Sequence, residues 1–195
     1  MKNSQKSHKP LSTNNLILLS CAILIFTILS LFALGRIPYC ECGYAKFWHS
    51  EPLSSETSQH LFDPYTFTHI LHGLGYYFLL WFFLRGIPLG HRFLLALGIE
   101  SSWEILENTR FIIDRYRTVT LSLNYVGDSI LNSLGDIVAS TLGFYLEARV
   151  PAWVSVLIAI LIEVFLLLLI RDNLFLNMLL LVHPIPSIVA WQMGG

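Results

Sequence analysis

Residues 16–34 form an apolar run that contains no charged side chain. A helix needs about 20 apolar residues to cross a bilayer, so this run is long enough for one crossing. Further apolar runs follow, and they predict helices at about 65–84, 93–111, 125–146 and 152–170, with a last run at 174–191 that either crosses or is re-entrant. The sequence therefore predicts an all-α, polytopic transmembrane bundle of five or six helices.

Composition supports one integral membrane domain over residues 1–195, with no separate soluble domain. The chain is 54% hydrophobic and 13% charged, with a mean hydropathy of +0.61, which is too apolar for an ordinary soluble domain. Membrane lipids are the expected surroundings. The net charge of -1 excludes the extended basic surface that nucleic acid requires.

Basic residues near the first helix indicate its orientation. Lys2, Lys6 and Lys9 precede the helix, and only Arg36 follows closely, which places the N-terminus in the cytoplasm. The prediction is a multi-pass protein of the bacterial inner membrane, with a cytoplasmic leader at 1–14 and a polar periplasmic loop at 36–63. A cleaved signal peptide is the alternative, but its apolar core is usually only about 7–15 residues long.

The polar loop contains Cys40 and Cys42, separated by one residue. In an oxidising compartment the pair could form a disulfide, although so short a separation strains one. Free thiols and a disulfide both remain open at this point.

Three of the predicted helices have polar side chains spaced by three or four residues, which places those side chains on one face of each helix. They are His69, His72 and Tyr76 on the second helix, Glu100, Glu104 and Glu107 on the third with Asn108 beside them, and Asp128, Asn132 and Asp136 on the fourth. His60, Asp63, Asp172 and Asn173 adjoin them from the loops. From the predicted directions of the helices, we expect one polar cavity that opens to the periplasm.

Carboxylates inside a membrane are paired, protonated or in contact with water, because an isolated charge there costs a few kcal/mol or more. Arginines after the third helix, protons or a divalent metal such as zinc could neutralise them. The predicted metal ligands are His60, Asp63, His69 and His72, and the predicted catalytic acids are Glu104, Glu107 and Asp128. The predicted substrate-binding or network residues are Asn108, Arg115, Arg117, Asn132, Asp136, Asp172 and Asn173. The structural alternative is an ion-pair network in which Arg110, Arg115 or Arg117 fixes helix packing.

Short segments spread over nearly the whole chain resemble a family of small proteobacterial inner-membrane proteins, uncharacterised protein family zero-three-one-four. The segments are Ser58-Gln59-His60, Asp63-Pro64-Tyr65-Thr66, His69-Ile70-Leu71-His72-Gly73, Trp103-Glu104, Glu107-Asn108-Thr109, Gly127-Asp128-Ser129 and Arg171-Asp172-Asn173-Leu174. This resemblance implies an inner-membrane location and assigns no activity.

A second resemblance covers residues 103–143 and concerns the VanZ-like membrane proteins linked to glycopeptide resistance. Its order is Glu104, an arginine near Arg115 or Arg117, and then Asp128, Asn132 and Gly135. The chain departs from that pattern because Glu107 and Asn108 stand where a glutamine is usual and because the intervening loop is longer. The resemblance implies that the third and fourth helices face each other around the loop arginines.

Two functions from different classes follow. The first is a metal-assisted enzyme that activates water against a lipid-linked substrate of the cell envelope. The second is a VanZ-like, non-enzymatic binding or scaffold protein of the envelope, in which the cavity recognises a head group or a partner. A proton-coupled carrier is a third hypothesis, which the lack of an internal repeat disfavours.

Overall fold

The computed structural model describes residues 9–120 and 125–194, and these fold into eight α-helices. The helices are α1 (Thr13–Ala33), α2 (Thr66–Phe83), α3 (Leu89–Glu107), α4 (Arg110–Val119), α5 (Ile130–Glu147), α6 (Ala152–Ile170), α7 (Leu174–Val182) and α8 (Pro186–Gln192). Within the described ranges the only β pairing is an isolated bridge between Trp48 and Phe62. The all-α prediction is confirmed.

Local sequence explains where several helices begin. Ser129 caps α5 by accepting the Asn132 backbone N–H, and Asn173 caps α7 in the same way. Pro151 stands directly before α6, as the sequence suggests. Asp63, a residue type that often caps helices, lies two residues before the N-cap position of α2 and organises the preceding turn by accepting the Tyr65 N–H.

Helices α2 and α5 form the most extensive helix pair, and glycines allow their backbones to approach closely. A Cβ atom at Gly73 would collide with the backbone of Ser140 and Phe144 on α5. A Cβ at Gly143 would collide with the Ile70 carbonyl on α2. This close contact fixes the position of the polar face of α2 relative to that of α5.

The polar ends of the helices meet at one end of the molecule. The loop after α1 accepts hydrogen bonds from the first residues of α5, since the Ile130 N–H donates to the Ile37 carbonyl. The loop before α2 is joined to the same region because Gln59 donates to the Gly127 carbonyl. The Tyr65 hydroxyl reaches Asp172 after α6. We call this side of the molecule the polar end.

Gly127 is required where the chain enters this end. Its φ of +91° lies in the left-handed region, and a side chain there would collide with Arg36, Ile113 and Asn108. Glycine at this position therefore lets the backbone approach Asn108, between α3 and α4, closely enough for the next residue, Asp128, to bond to it.

Two helices, α1 and α6, are long and apolar enough to cross a membrane by length and composition, with mean hydropathies of 2.8 and 2.9. Most of their apolar side chains are not covered by protein, and in α6 only Ser155, Leu166 and Ile170 are buried. Helices α2, α3 and α5 are of similar length but bury polar side chains. Their crossing, the multi-pass topology and the N-terminal orientation stay predictions.

Two segments differ from the predicted helices. The helix expected over 93–111 ends at Glu107, and the chain then forms α4, an amphipathic helix where a loop was expected. The last apolar run divides into α7 and α8, of nine and seven residues, on either side of His183 and Pro184. Each is shorter than the about 20 residues that a full crossing requires.

The structure also fixes the state of the cysteine pair that the sequence left open. Cys40 and Cys42 are joined as a disulfide in the loop between α1 and α2, and Cys21 in α1 is free. Residues 1–8 of the predicted cytoplasmic leader lie outside the described residues.

The α2–α5 contact makes a test of the fold. Gly73→Ala is expected to destabilise the protein by about 1–3 kcal/mol, because the added methyl overpacks the interface. Gly75→Ala on the same helix is the control, since its Cβ meets nothing within 4 Å. Denaturant unfolding of the detergent-solubilised protein measures both. Equal effects of the two substitutions would contradict the packing described.

Candidate functional site

His69 and His72 on α2 share one carboxylate of α3. Glu100 Oε1 lies 2.7 Å from His69 Nδ1, and Glu100 Oε2 lies 3.2 Å from His72 Nδ1. Glu100 is 1% exposed, so its carboxylate depends on these two rings for hydrogen bonds. In the neutral tautomer whose Nδ1–H donates to Glu100, Nε2 of the same ring has a lone pair that can bind a metal.

Two further carboxylates approach His69. Asp136 Oδ2 on α5 lies 3.8 Å from His69 Nε2, and Glu104 Oε1 on α3 lies 3.4 Å from His69 Nδ1. Both oxygens of Glu104 and Oδ1 of Asp136 are buried without a hydrogen-bond partner. Glu104 has no solvent exposure at all. Two buried carboxyl groups therefore meet beside one imidazole, and Glu104 lacks the hydrogen-bond partners that such a group ordinarily has.

This arrangement has the geometry of a metal site. One ligand atom from each of His69, Glu104 and Asp136 lies within 4.8 Å of the other two. Two ligands about 2.0–2.1 Å from a tetrahedral zinc lie roughly 3.4 Å apart, so small side-chain shifts would bring the three onto one ion. Glu100 then stands where a carboxylate orients a metal-bound histidine through its second nitrogen. We call His69, Glu100, Glu104 and Asp136 the carboxylate cluster.

Two members of the carboxylate cluster, His69 and Asp136, line a cavity of about 250 Å³ at the polar end, and Glu100 and Glu104 are buried behind them. The polar part of its wall includes His69, His72, Glu107, Tyr116, Tyr125, Asp128 and Asp136. The apolar part consists of Leu53 from the loop before α2, and Leu174, Met178 and Met193 from the last two helices and their end. The cavity is therefore amphipathic, with His69 and Asp136 on its polar side.

Asp128 is held in place by side chains from two other segments. It accepts hydrogen bonds from Asn108 at 2.8 Å and from the Tyr125 hydroxyl at 2.8 Å, and its own N–H donates to Asn108. Asp128 is thus a fixed carboxyl group on the cavity wall that can hold or accept a proton.

The nearby arginines are engaged by backbone carbonyls. Arg115 donates to the Leu181 carbonyl, and Arg117 donates to the Tyr125 carbonyl. Arg110 pairs with Asp114 on the exposed face of α4 at 3.8 Å. Among the residues that the structure describes, these arginines therefore bond to backbone carbonyls or to a surface carboxylate. None of them contacts the carboxylate cluster.

His60 belongs to a different group from the one that the sequence predicted. Its Nδ1 accepts the Lys46 N–H and its Nε2 contacts Glu56, next to the Cys40–Cys42 disulfide. Hydrogen bonds from Lys46, His60 and Tyr44 lower the pKa of Glu56 to about 2. The structure thus separates His60 from His69 and His72.

Asp63 and Asn132 connect the loop before α2 to the helices. Asp63 accepts N–H groups of Ser58 and Tyr65, and burial raises its pKa. The side chain of Asn132, in the first turn of α5, donates to the His60 carbonyl in the loop before α2. Both were predicted as site residues. In the structure neither lines the cavity, and both instead hold the loop before α2 in place through hydrogen bonds.

Asp172 and Asn173 lie beside the cavity, between α6 and α7. Asp172 accepts hydrogen bonds from Tyr65, Asn177 and Gln192, and burial raises its pKa to about 6. Asn173 caps α7 and donates to the Glu163 carbonyl. Through these hydrogen bonds, Asp172 connects α7 and α8 to Tyr65 at the start of α2, and Asn173 connects α7 to α6.

Two members of the site were not among the predicted functional residues. Glu100 lies four residues before Glu104 on the same polar face, so its spacing was the signal that could have identified it. Tyr125 follows a loop, and no periodicity indicates its contact with Asp128.

Comparisons with known proteins cover most of the chain. A family described as "Protein of unknown function (DUF2585)" matches residues 31–194. A UPF0314 protein of Rhizobium etli is 51% identical over 173 residues, which is 89% of each chain. One from Paracoccus denitrificans is 48% identical over 170 residues, or 87% of this chain and 88% of its own. One from Brucella anthropi is 47% identical over 178 residues, or 89% and 90% of the two chains. No solved structure matches the chain.

The titration of Asp172 predicts how the stability of the folded protein depends on pH. Its pKa rises from 3.8 to about 6 on folding, so the folded state holds the proton more tightly than the unfolded state. Stability attributable to this group is present below about pH 4 and is lost as the pH rises to about 6, with an upper bound of about 3 kcal/mol. Asp172→Asn is expected to flatten this part of the stability profile, measured by unfolding between about pH 4 and 7. Parallel profiles for the two proteins would contradict the assignment.

Proposed function

Because the chain belongs to uncharacterised protein family zero-three-one-four, whose description names no activity, we propose its function from the site itself. The protein is a multi-pass protein of the bacterial inner membrane that holds a divalent metal such as zinc in the carboxylate cluster. It uses that site to hydrolyse a lipid-linked substrate of the cell envelope.

One observation carries this proposal: the buried Glu104 carboxylate has no hydrogen-bond partner, although Asp136 and His69 lie next to it. A buried carboxylate without a partner is strongly unfavourable, and a second carboxylate beside it adds repulsion. The arginines that could have neutralised the pair are engaged by carbonyls instead. A divalent cation satisfies both carboxylates at once.

Each residue then has a chemical role. His69 Nε2, Glu104 and Asp136 hold the metal, and Glu100 orients the His69 ring by accepting its Nδ1–H. A metal in such a site lowers the pKa of bound water toward neutrality and so supplies a nucleophile. Glu107 and Asp128 face the cavity and are placed to take up the proton that this water releases.

The shape of the cavity supports a substrate with an apolar chain and a polar head group. The polar wall suits a head group, while Leu53, Leu174 and Met178 suit a hydrocarbon segment. The uncovered apolar side chains of α1 and α6 support a bilayer around the protein, from which such a substrate would enter. The lysines that precede α1 support a polar end on the periplasmic side.

Metal analysis of the purified full-length protein tests the proposal. The wild type is expected to contain stoichiometric metal, and His69→Ala and Glu104→Gln are expected to lose it. Glu100→Gln, which changes the orienting group, is expected to weaken metal affinity by about 10- to 100-fold. His91→Ala is the matched control, since His91 lies in the first turn of α3, far along that helix from Glu104.

The outcomes distinguish the two functional classes. Metal that is lost equally from the His91→Ala control, or a metal-free wild type that is correctly folded, would contradict the metal-assisted enzyme. If Glu104→Gln and Asp128→Asn then release a co-purified lipid or partner while no lipid extract is turned over, the cavity serves a scaffold or binding protein.

A further inference from the structure

The loop between α1 and α2 contains a second chemical group, away from the carboxylate cluster. We propose that the Cys40–Cys42 disulfide is a thiol–disulfide exchange site that accepts two electrons from the dithiol of a partner protein. The inference is independent of the metal and of the proposed hydrolysis.

The two sulfur atoms differ in accessibility. Cys42 is exposed, whereas Cys40 is 4% exposed. An incoming thiolate can therefore reach the Cys42 sulfur, and the Cys40 sulfur is shielded by the loop. Exchange depends on which sulfur is attacked and on how well the other sulfur leaves as a thiolate.

The surroundings of Cys40 suit a leaving thiolate. The Cys42 backbone N–H donates to Cys40 Sγ at 3.2 Å, which stabilises negative charge on that sulfur. His60 accepts the Lys46 N–H at Nδ1, so its ring proton is on Nε2, where it donates to the Glu56 carboxylate at 2.9 Å. That carboxylate and the His60 ring each have a ligand atom within 4.8 Å of both sulfurs. The adjacent Glu56 carboxylate is paired with the Lys46 ammonium at 2.7 Å, which limits its repulsion of a thiolate.

A purely structural role explains the pair poorly. The disulfide closes a loop with a single residue between the cysteines, and short loops restrict the unfolded chain least. The surface around the pair instead suits a partner, because the side chains of Tyr39, Tyr44 and Phe47 are exposed on the same loop.

The exchange reaction balances without another reagent. A thiolate of the partner attacks Cys42 Sγ, the bond between Cys40 and Cys42 breaks, and its electron pair goes to Cys40 as a thiolate. The second thiolate of the partner attacks the mixed disulfide and releases Cys42 as a thiolate. The partner is thereby oxidised to a disulfide, and the cysteine pair is reduced by two electrons.

Trapping the mixed disulfide tests the site of attack. Full-length protein with Cys21→Ser is treated with reduced glutathione, quenched with N-ethylmaleimide and analysed by peptide mass spectrometry. We expect glutathione on Cys42 and N-ethylmaleimide on Cys40, with the reverse adduct roughly tenfold rarer. Equal labelling, or glutathione mainly on Cys40, would overturn the proposal.

Equilibration in a glutathione redox buffer tests the leaving group. The pair is expected to be partly reduced in a buffer that leaves structural disulfides oxidised. His60→Ala is expected to shift the balance toward the disulfide, because the Glu56 carboxylate beside the sulfurs loses the N–H that offsets its repulsion of a thiolate. His183→Ala is the control, since His183 is exposed at the end of α7, outside this loop. Identical shifts in both variants, or a pair that stays fully oxidised, would overturn the proposal.

Discussion

The burial of Glu100, Glu104 and Asp136 around His69 is the interaction on which the rest of the structure depends. Two of these carboxyl groups have oxygens without hydrogen-bond partners, in a region where an uncompensated charge is costly. A folded chain tolerates this only if a cation or shared protons occupy the cluster. The cavity at the polar end is lined by two members of this cluster, His69 and Asp136.

Close backbone contact between α2 and α5 brings the charged groups together. Gly73 and Gly143 remove the side chains that would separate these helices, so His69 on α2 faces Asp136 on α5. Next to these glycines, on the side away from the polar end, Phe144 of α5 contacts Tyr77 of α2 and Phe93 of α3. Small residues and aromatic residues thus have complementary roles along one helix pair.

Helical spacing predicted which faces are polar, and the structure brings His69 and His72 to Glu100 on α3 and His69 also to Glu104. The sequence did not predict that His60 lies elsewhere, because a loop has no periodicity that fixes where its side chains point. The end of α3 at Glu107 and the start of α4 were also missed. Asn108 uses its side chain to bond Asp128 there, a tertiary contact that overrides the apolar pattern.

X-ray diffraction from crystals of the full-length protein, collected on both sides of the zinc absorption edge, tests the central claim most directly. The account predicts an anomalous peak between His69 Nε2, Glu104 and Asp136, with Glu100 bonded to His69 Nδ1. A map in which that space contains no ion, with Glu104 paired to an arginine or turned toward acyl chains, would contradict it.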